Sequence, residues 1–240
     1  KDYFDVDSGV QSQCDSFNGG QCQFDVKPVL SSGGRVILTQ DVRCIESIIV
    51  TNYTILDCMG FRISSPGVND LIVLRDNATL VNCDLEIEFP GADGGEGRGV
   101  VMDQGSATVQ EVNFQGRTTA FFVDDVGANG DILLDGISYS TEEVGLSIFT
   151  PTSDTCCSNS KIISSLPLPE IVGTITIRNV QATQFGTARR GKDLLVVETL
   201  THHVDIQGGH LEGGRNGINV DLARNVAIDG LVITNANTDN

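Results

Sequence analysis

A spaced pattern recurs seven times along the chain: apolar, any, apolar, any, any, apolar, any, apolar. It reads Tyr53/Ile55/Cys58/Gly60, Ala78/Leu80/Cys83/Leu85 and Ala107/Val109/Val112/Phe114, then Ile132/Leu134/Ile137/Tyr139. It returns as Ile175/Ile177/Val180/Ala182, Val204/Ile206/Gly209/Leu211 and Val226/Ile228/Leu231/Ile233. The steps between copies are 25, 29, 25, 43, 29 and 22 residues. Self-similarity at a period of this size marks a solenoid or array. Period-two alternation inside each copy marks strand, not helix. The break between the second and third apolar positions ends on Asp57, Asn82, Glu111, Gly136, Asn179, Gly208 or Gly230. Gly, Asn and Asp tolerate the left-handed backbone of a sharp bend. A further apolar segment precedes most copies, as at Leu71–Leu74, Val100–Met102, Ala120–Val123, Leu146–Phe149, Leu194–Val197 and Ile218–Val220.

Three short strands per turn, with bends between them, predict an all-β fold. The expected form is a right-handed parallel β-helix of about seven to eight coils, the hand following the general crossover preference. A single coil cannot bury its apolar face, so like residues stack from rung to rung. The expected inward column is Ile55, Leu80, Val109, Leu134, Ile177, Ile206 and Ile228. Residues 1–28 lack the repeat and read as an N-terminal arm or cap, and residues 29–240 read as the β-helix. The longest step holds an inserted loop at 150–169, rich in Ser, Thr and Pro. The chain opens at Lys1, as expected of a processed product, and its last repeat is followed by no evident cap. An uncovered strand edge invites pairing with more of the same polypeptide or with a partner.

The stretch Tyr53-Thr-Ile-Leu-Asp-Cys-Met-Gly-Phe-Arg-Ile-Ser, the stretch Asn77-Ala-Thr-Leu-Val-Asn-Cys and the segment Asn225-Val-Ala-Ile-Asp-Gly-Leu-Val-Ile-Thr-Asn share one style. In that style the chain resembles right-handed parallel β-helix proteins of the pectate-lyase-like superfamily, over about residues 34–238. The resemblance implies the fold. It leaves activity open, because that superfamily holds polysaccharide lyases, polygalacturonase-like hydrolases, epimerases, viral tailspikes and non-catalytic surface proteins.

The polygalacturonase-like motif set runs Asn-Thr-Asp, Asp-Asp, Gly-His-Gly and then a basic phrase. Here Asp124-Asp125 and Gly209-His210 precede Asn237-Thr238-Asp239, which reverses the order. The catalytic candidates carried over are therefore Asp124, Asp125, His210 and Asp239. A basic cluster of Arg189, Arg190, Lys192, His202, His203, His210, Arg215 and Arg224 would suit a lyase, but the acids lie two coils earlier. Hard cations take oxygen ligands, so Asp124, Asp125 and Asp131 are the candidate calcium ligands, and no other cofactor is implied.

Net charge is -17, which disfavours nucleic acid as a partner. No run of 18 apolar residues is present, so no membrane-spanning helix is expected. Trp is absent and Tyr numbers only 3, which weakens a lectin reading based on aromatic stacking against sugars. Asn52-Tyr53-Thr54 and Asn77-Ala78-Thr79 are N-glycosylation sequons one coil apart. Alternation is expected to point the Asn and Thr of both outward.

The 7 cysteines favour an oxidising compartment. Cys14 and Cys22 flank a Gly-Gly turn and suit a local disulfide. Cys58 and Cys83 occupy the same position of adjacent coils, as a disulfide or as stacked thiols, and Cys44 competes as a partner for either pair. Cys156 and Cys157 are neighbours in the insertion, where at least one is expected to pair elsewhere. Together these features point to a secreted or cell-surface structural or adhesive β-helix. It would be a subunit of an extracellular fibre or coat that self-associates head to tail and bears glycans. The competing class is a carbohydrate-active enzyme, a lyase or polygalacturonase-like hydrolase on acidic polysaccharide.

Overall fold

The structure is a computed structural model. It describes residues 4–6, 16–17, 21–22, 29–44, 46–66, 70–88, 97–124, 128–149, 170–184, 192–221 and 223–235. Every regular element among them is a β-strand. The first are β1 (Phe4–Val6), β2 (Ser16–Phe17), β3 (Gln21–Cys22), β4 (Val29–Leu30), β5 (Arg35–Leu38), β6 (Val42–Cys44), β7 (Ile48–Val50) and β8 (Ile55–Asp57). Next come β9 (Arg62–Ser65), β10 (Ile72–Arg75), β11 (Ala78–Ile87), β12 (Arg98–Gln104), β13 (Ala107–Gly116), β14 (Thr119–Asp124) and β15 (Ile132–Asp135). The last are β16 (Ser138–Thr141), β17 (Leu146–Phe149), β18 (Gly173–Gln184), β19 (Leu195–Glu198), β20 (His202–Glu212), β21 (Ile218–Val220) and β22 (Asn225–Thr234).

The strands stack in two sheets. One runs β4-β7-β10-β12-β14-β17-β19-β21 and is parallel throughout. The other is bent lengthwise, and its long strands β11, β13, β18 and β20 cross the bend. Each rung is thus three short faces wound about one core, a parallel β-solenoid. The bend falls at Asn82 (φ 54°), Glu111 (51°), Gly136 (64°), Asn179 (53°), Gly208 (68°) and Gly230 (67°), the corner positions expected from the repeat. A left-handed residue turns the chain there, inside a continuous strand at every corner but Gly136, which separates β15 from β16.

Inward columns form the core. Leu80, Val109, Leu134, Ile177 and Ile206 stack in register and are wholly buried. Ile48, Ile72, Val100, Phe121, Leu146 and Leu195 do the same in the other sheet. Each such side chain contributes about 1.5–3 kcal/mol by leaving water.

The expected column fails at both ends. Leu56, not Ile55, lies against Leu80, because Ile55 pairs with Thr79. The cause is a longer corner. Four residues, 58–61, separate Asp57 from Arg62, where the next rung has only Asn82 and Cys83 between Val81 and Asp84. The backbone turns at Met59 (φ 53°) and Gly60 (φ 82°) instead of at Asp57. A fixed two-residue break therefore misplaces the first strand by one residue, and every side chain on it changes face. At the other end Ile228 keeps register with Ile206 but is 47% exposed.

Strands of the N-terminal segment lie on the first rungs. β1 pairs antiparallel with β5, β2 pairs antiparallel with β3, and β3 lies parallel to β6. The insertion at 150–169 lies outside the described residues. Its flanking strands keep register with their neighbours, Phe149 with Glu198 and Gly173 with His202.

Asp57 is a buried carboxylate at the long corner. It accepts hydrogen bonds from Arg35, from the Met59 N–H (2.9 Å) and from Asn82 Nδ2 (3.1 Å). Burial alone would raise its pKa, but the Arg35, Met59 and Asn82 hydrogen bonds outweigh that and hold the carboxyl below its ordinary value. A depressed folded-state pKa adds stability that is complete above the ordinary carboxylate value. That stability is lost as pH falls through the folded value. Asp57→Asn turns an amide donor toward three donors and is expected to cost about 1–3 kcal/mol at neutral pH. Thermal melts from pH 7 to pH 3 check this. The variant should melt lower at pH 7, and its deficit should shrink toward acid.

Candidate functional site

Leaving the flat sheet, the chain places an acid directly after the last inward residue at Asp103, Asp124, Glu198 and Asp221. Asp103 is held by Arg75, with Nε 2.7 Å from Oδ1. Asp124 pairs in register with Phe149, and Phe149 with Glu198. The Asp221 N–H donates to the Val197 carbonyl at 2.9 Å, so Glu198 and Asp221 lie on adjacent rungs. One rung is about 4.8 Å, and Asp124 lies about 10 Å from Glu198 along the stack. Glu198 is half-buried, Asp221 is exposed and Phe149 is 39% exposed. Burial raises the Glu198 pKa, and the charge of Asp221 raises it further. Glu198 therefore holds its proton to higher pH than an ordinary glutamate, one rung from the Asp221 carboxyl group. That is the pairing general acid–base chemistry uses.

The residues singled out from the sequence are scattered by the fold. Asp124 ends β14 on the flat sheet, whereas His210 lies on β20 of the bent sheet, its Nε2 2.7 Å from Thr234 Oγ1. Asp125 and Asp239 lie outside the described residues. Asp131 accepts the Thr174 N–H at 2.9 Å and donates its own N–H to Ser106 Oγ. It immediately precedes β15, the next strand after the one Asp124 ends, and no group of three or more metal-ligating side chains occurs among the described residues. Of the basic cluster, Lys192 and Arg215 stay together, the Arg215 N–H donating to the Lys192 carbonyl at 3.0 Å, but each is ion-paired to an acid. Arg215 forms a two-point ion pair with Asp193 (3.1 and 2.9 Å), and Lys192 lies 3.4 Å from Glu143. His202 is buried, its Nε2 donating to the Gly130 carbonyl at 3.2 Å. Arg189 and Arg190 lie outside the described residues.

Both sequon asparagines are exposed at left-handed corners, Asn52 at φ 55° and Asn77 at φ 64°. The one-residue offset of the first strand carries over here. The Tyr53 N–H donates to the Asp76 carbonyl, and Tyr53, not Asn52, sits opposite Asn77. The two asparagines are staggered by one residue on neighbouring rungs. Thr54 does not face outward: it is buried, and its Oγ1 accepts the Gly33 N–H at 3.1 Å. Tyr53 beside it is 69% exposed.

Cys58 and Cys83 are joined by a disulfide with α-carbons 4.9 Å apart, which resolves the two readings left open by the sequence. Cys14, Cys156 and Cys157 lie outside the described residues.

The second exposed feature is the last described rung. β22 pairs with β20 on one side, and no described strand pairs with its other side. Val220 (45%), Ile228 (47%), Val232 (54%) and Ile233 (42%) are exposed there. Among the described residues no helix is long and apolar enough to cross a membrane.

Compared with known proteins, the chain matches no family model, no curated sequence and no solved structure. The reading of function therefore rests on the molecule itself.

Glu198 and Asp221 were missed in the sequence, although a signal for them was present. An acid follows the last inward position of the flat-sheet strand in four rungs, and only the register shows that these acids fall on adjacent rungs as Asp103 with Asp124 and Glu198 with Asp221.

Proposed function

We propose that this chain is an extracellular or cell-surface structural β-solenoid, a member of the pectate-lyase-like superfamily, that assembles by strand addition at β22. The observation that carries the reading is the exposed apolar side chains along a parallel edge that no described strand pairs. Backbone groups and buried-type side chains left together at an edge are satisfied by another strand in register. Glycans on Asn52 and Asn77 would clothe one corner of the rod near the opposite end, leaving the β22 face clear. The surplus of acids would keep rods apart sideways.

Sedimentation velocity of the full chain over a range of concentrations tests the assembly, with the paired substitutions Ile228→Lys and Val232→Lys as the comparison. Concentration-dependent growth of the native chain is expected, together with loss of growth in the variant at unchanged circular dichroism. A native chain that stays monomeric throughout, its edge covered by its own polypeptide, would overturn the proposal.

A second reading draws on the Glu198–Asp221 pair. Acidic residues one rung, about 4.8 Å, apart can bring their carboxyl groups into the range of retaining glycoside hydrolysis. The raised Glu198 would act as acid and Asp221 as nucleophile on an acidic polysaccharide. Reducing-sugar release from pectate, polygalacturonate or alginate, abolished by Glu198→Gln, would favour this enzyme over the structural role.

A further inference from the structure

Strand β3 holds two residues, and β2, which pairs with it, also holds two. So short a hairpin is marginal in water on its own and needs a further tie. The register supplies one. β3 lies parallel to β6 with Gln21 opposite Arg43 and Cys22 opposite Cys44. Paired positions on neighbouring parallel strands lie about 4.8 Å apart, inside the α-carbon range of roughly 4.4–6.8 Å for a disulfide. The Cys58–Cys83 disulfide spans the same kind of rung-to-rung step at 4.9 Å, a short way along the solenoid.

We infer that Cys22 and Cys44 form a second rung-to-rung disulfide, which staples the N-terminal segment onto the first rungs. Two thiols would then give up two protons and two electrons to a disulfide acceptor such as oxidised glutathione. A cysteine thiolate attacks the acceptor, one glutathione thiolate leaves, and the second cysteine displaces the other glutathione. Cys44 is fully buried, so the bond would close while the segment docks and not afterwards. This pairing competes with a local Cys14–Cys22 bridge. It would leave Cys14 for Cys156, Cys157 or another chain.

Peptide mapping of the full chain decides the matter. The protein is folded in a glutathione buffer that fully oxidises Cys58–Cys83, which serves as an internal control. It is then alkylated and digested without reduction at Lys, Arg, Asp and Glu. Cuts at Asp15 and Glu46 separate Cys14 from Cys22 and Cys44 from Cys58. A cross-linked Cys22–Cys44 peptide that disappears on reduction is the expected result. Cys22→Ser and Cys44→Ser should lower the melting temperature by equal amounts, and the double variant by no more than either alone. A Cys14–Cys22 peptide, or alkylated Cys22 and Cys44 beside an intact Cys58–Cys83 bridge, would overturn the inference. The map of the unaltered chain decides it even if a serine variant fails to fold.

Discussion

Truncation of Phe114 to alanine is expected to cost about 3–5 kcal/mol of folding free energy, the largest effect of any single change in this core. Phe114 is fully buried and stacks between Leu85 and Tyr139 of the flanking rungs. Its ring occupies the space left by two glycines. A Cβ on Gly116 would sit 2.9 Å from the ring Cζ, and one on Gly99 would sit 2.5 Å from Cε2. No neighbouring side chain is free to collapse into the void, since both flanking residues are held in β-ladder register. The same contacts predict that Gly116→Ala destabilises by overpacking, by about 1–3 kcal/mol. The two changes should not add, because the methyl group of one enters the cavity of the other. Urea denaturation of the two single variants and the double variant measures this. A double variant as unstable as the sum of the singles would show that ring and glycine do not share one space.

Removal of the Cys58–Cys83 bridge should be the next largest loss. The bond closes a loop across a sequence separation of 25 and links two adjacent rungs. Chain-entropy estimates for such a loop give about 3 kcal/mol. For a domain of this size that is roughly 10 °C in Tm. Cys58→Ala with Cys83→Ala should give this shift. Differential scanning calorimetry of the native chain and the double variant tests it. An unchanged Tm would mean that packing alone fixes the first long corner.

Much of this architecture was legible because the repeat writes each decision several times. The left-handed corners at Asn82, Glu111, Gly136, Asn179, Gly208 and Gly230 could be read from residue type and spacing. So could the buried column from Leu80 to Ile206 and the stacking of Cys58 on Cys83. The first rung was misread because its corner is longer, and nothing local distinguishes Asp57 from a corner residue. Only the pairing of Ile55 with Thr79 shows that Asp57 belongs to the strand. That single slip also misplaced Asn52 against Asn77 and turned Thr54 to the wrong side. The acid pair was harder to see. Glu198 and Asp221 become a pair through the docking of β21 on β19, and the Glu198 pKa depends on how much water that docking excludes. The motif-derived set of Asp124 and His210 was separated by the fold, because similar short phrases recur on different faces of a coil.

The constant corner has a consequence for what the chain can carry. Step length varies from 22 to 43 residues, yet from Asn82 onward each of these corners has a left-handed residue at the same place in the repeat. Registration and length are thus handled by different parts of each coil. Foreign sequence grafted between Phe149 and Gly173 would leave the ladder bookkeeping to that seam, much as a bound book accepts a folded plate without disturbing its spine. The molecule is in that sense a ready display scaffold, with attachment points spaced along the rod at multiples of one strand separation.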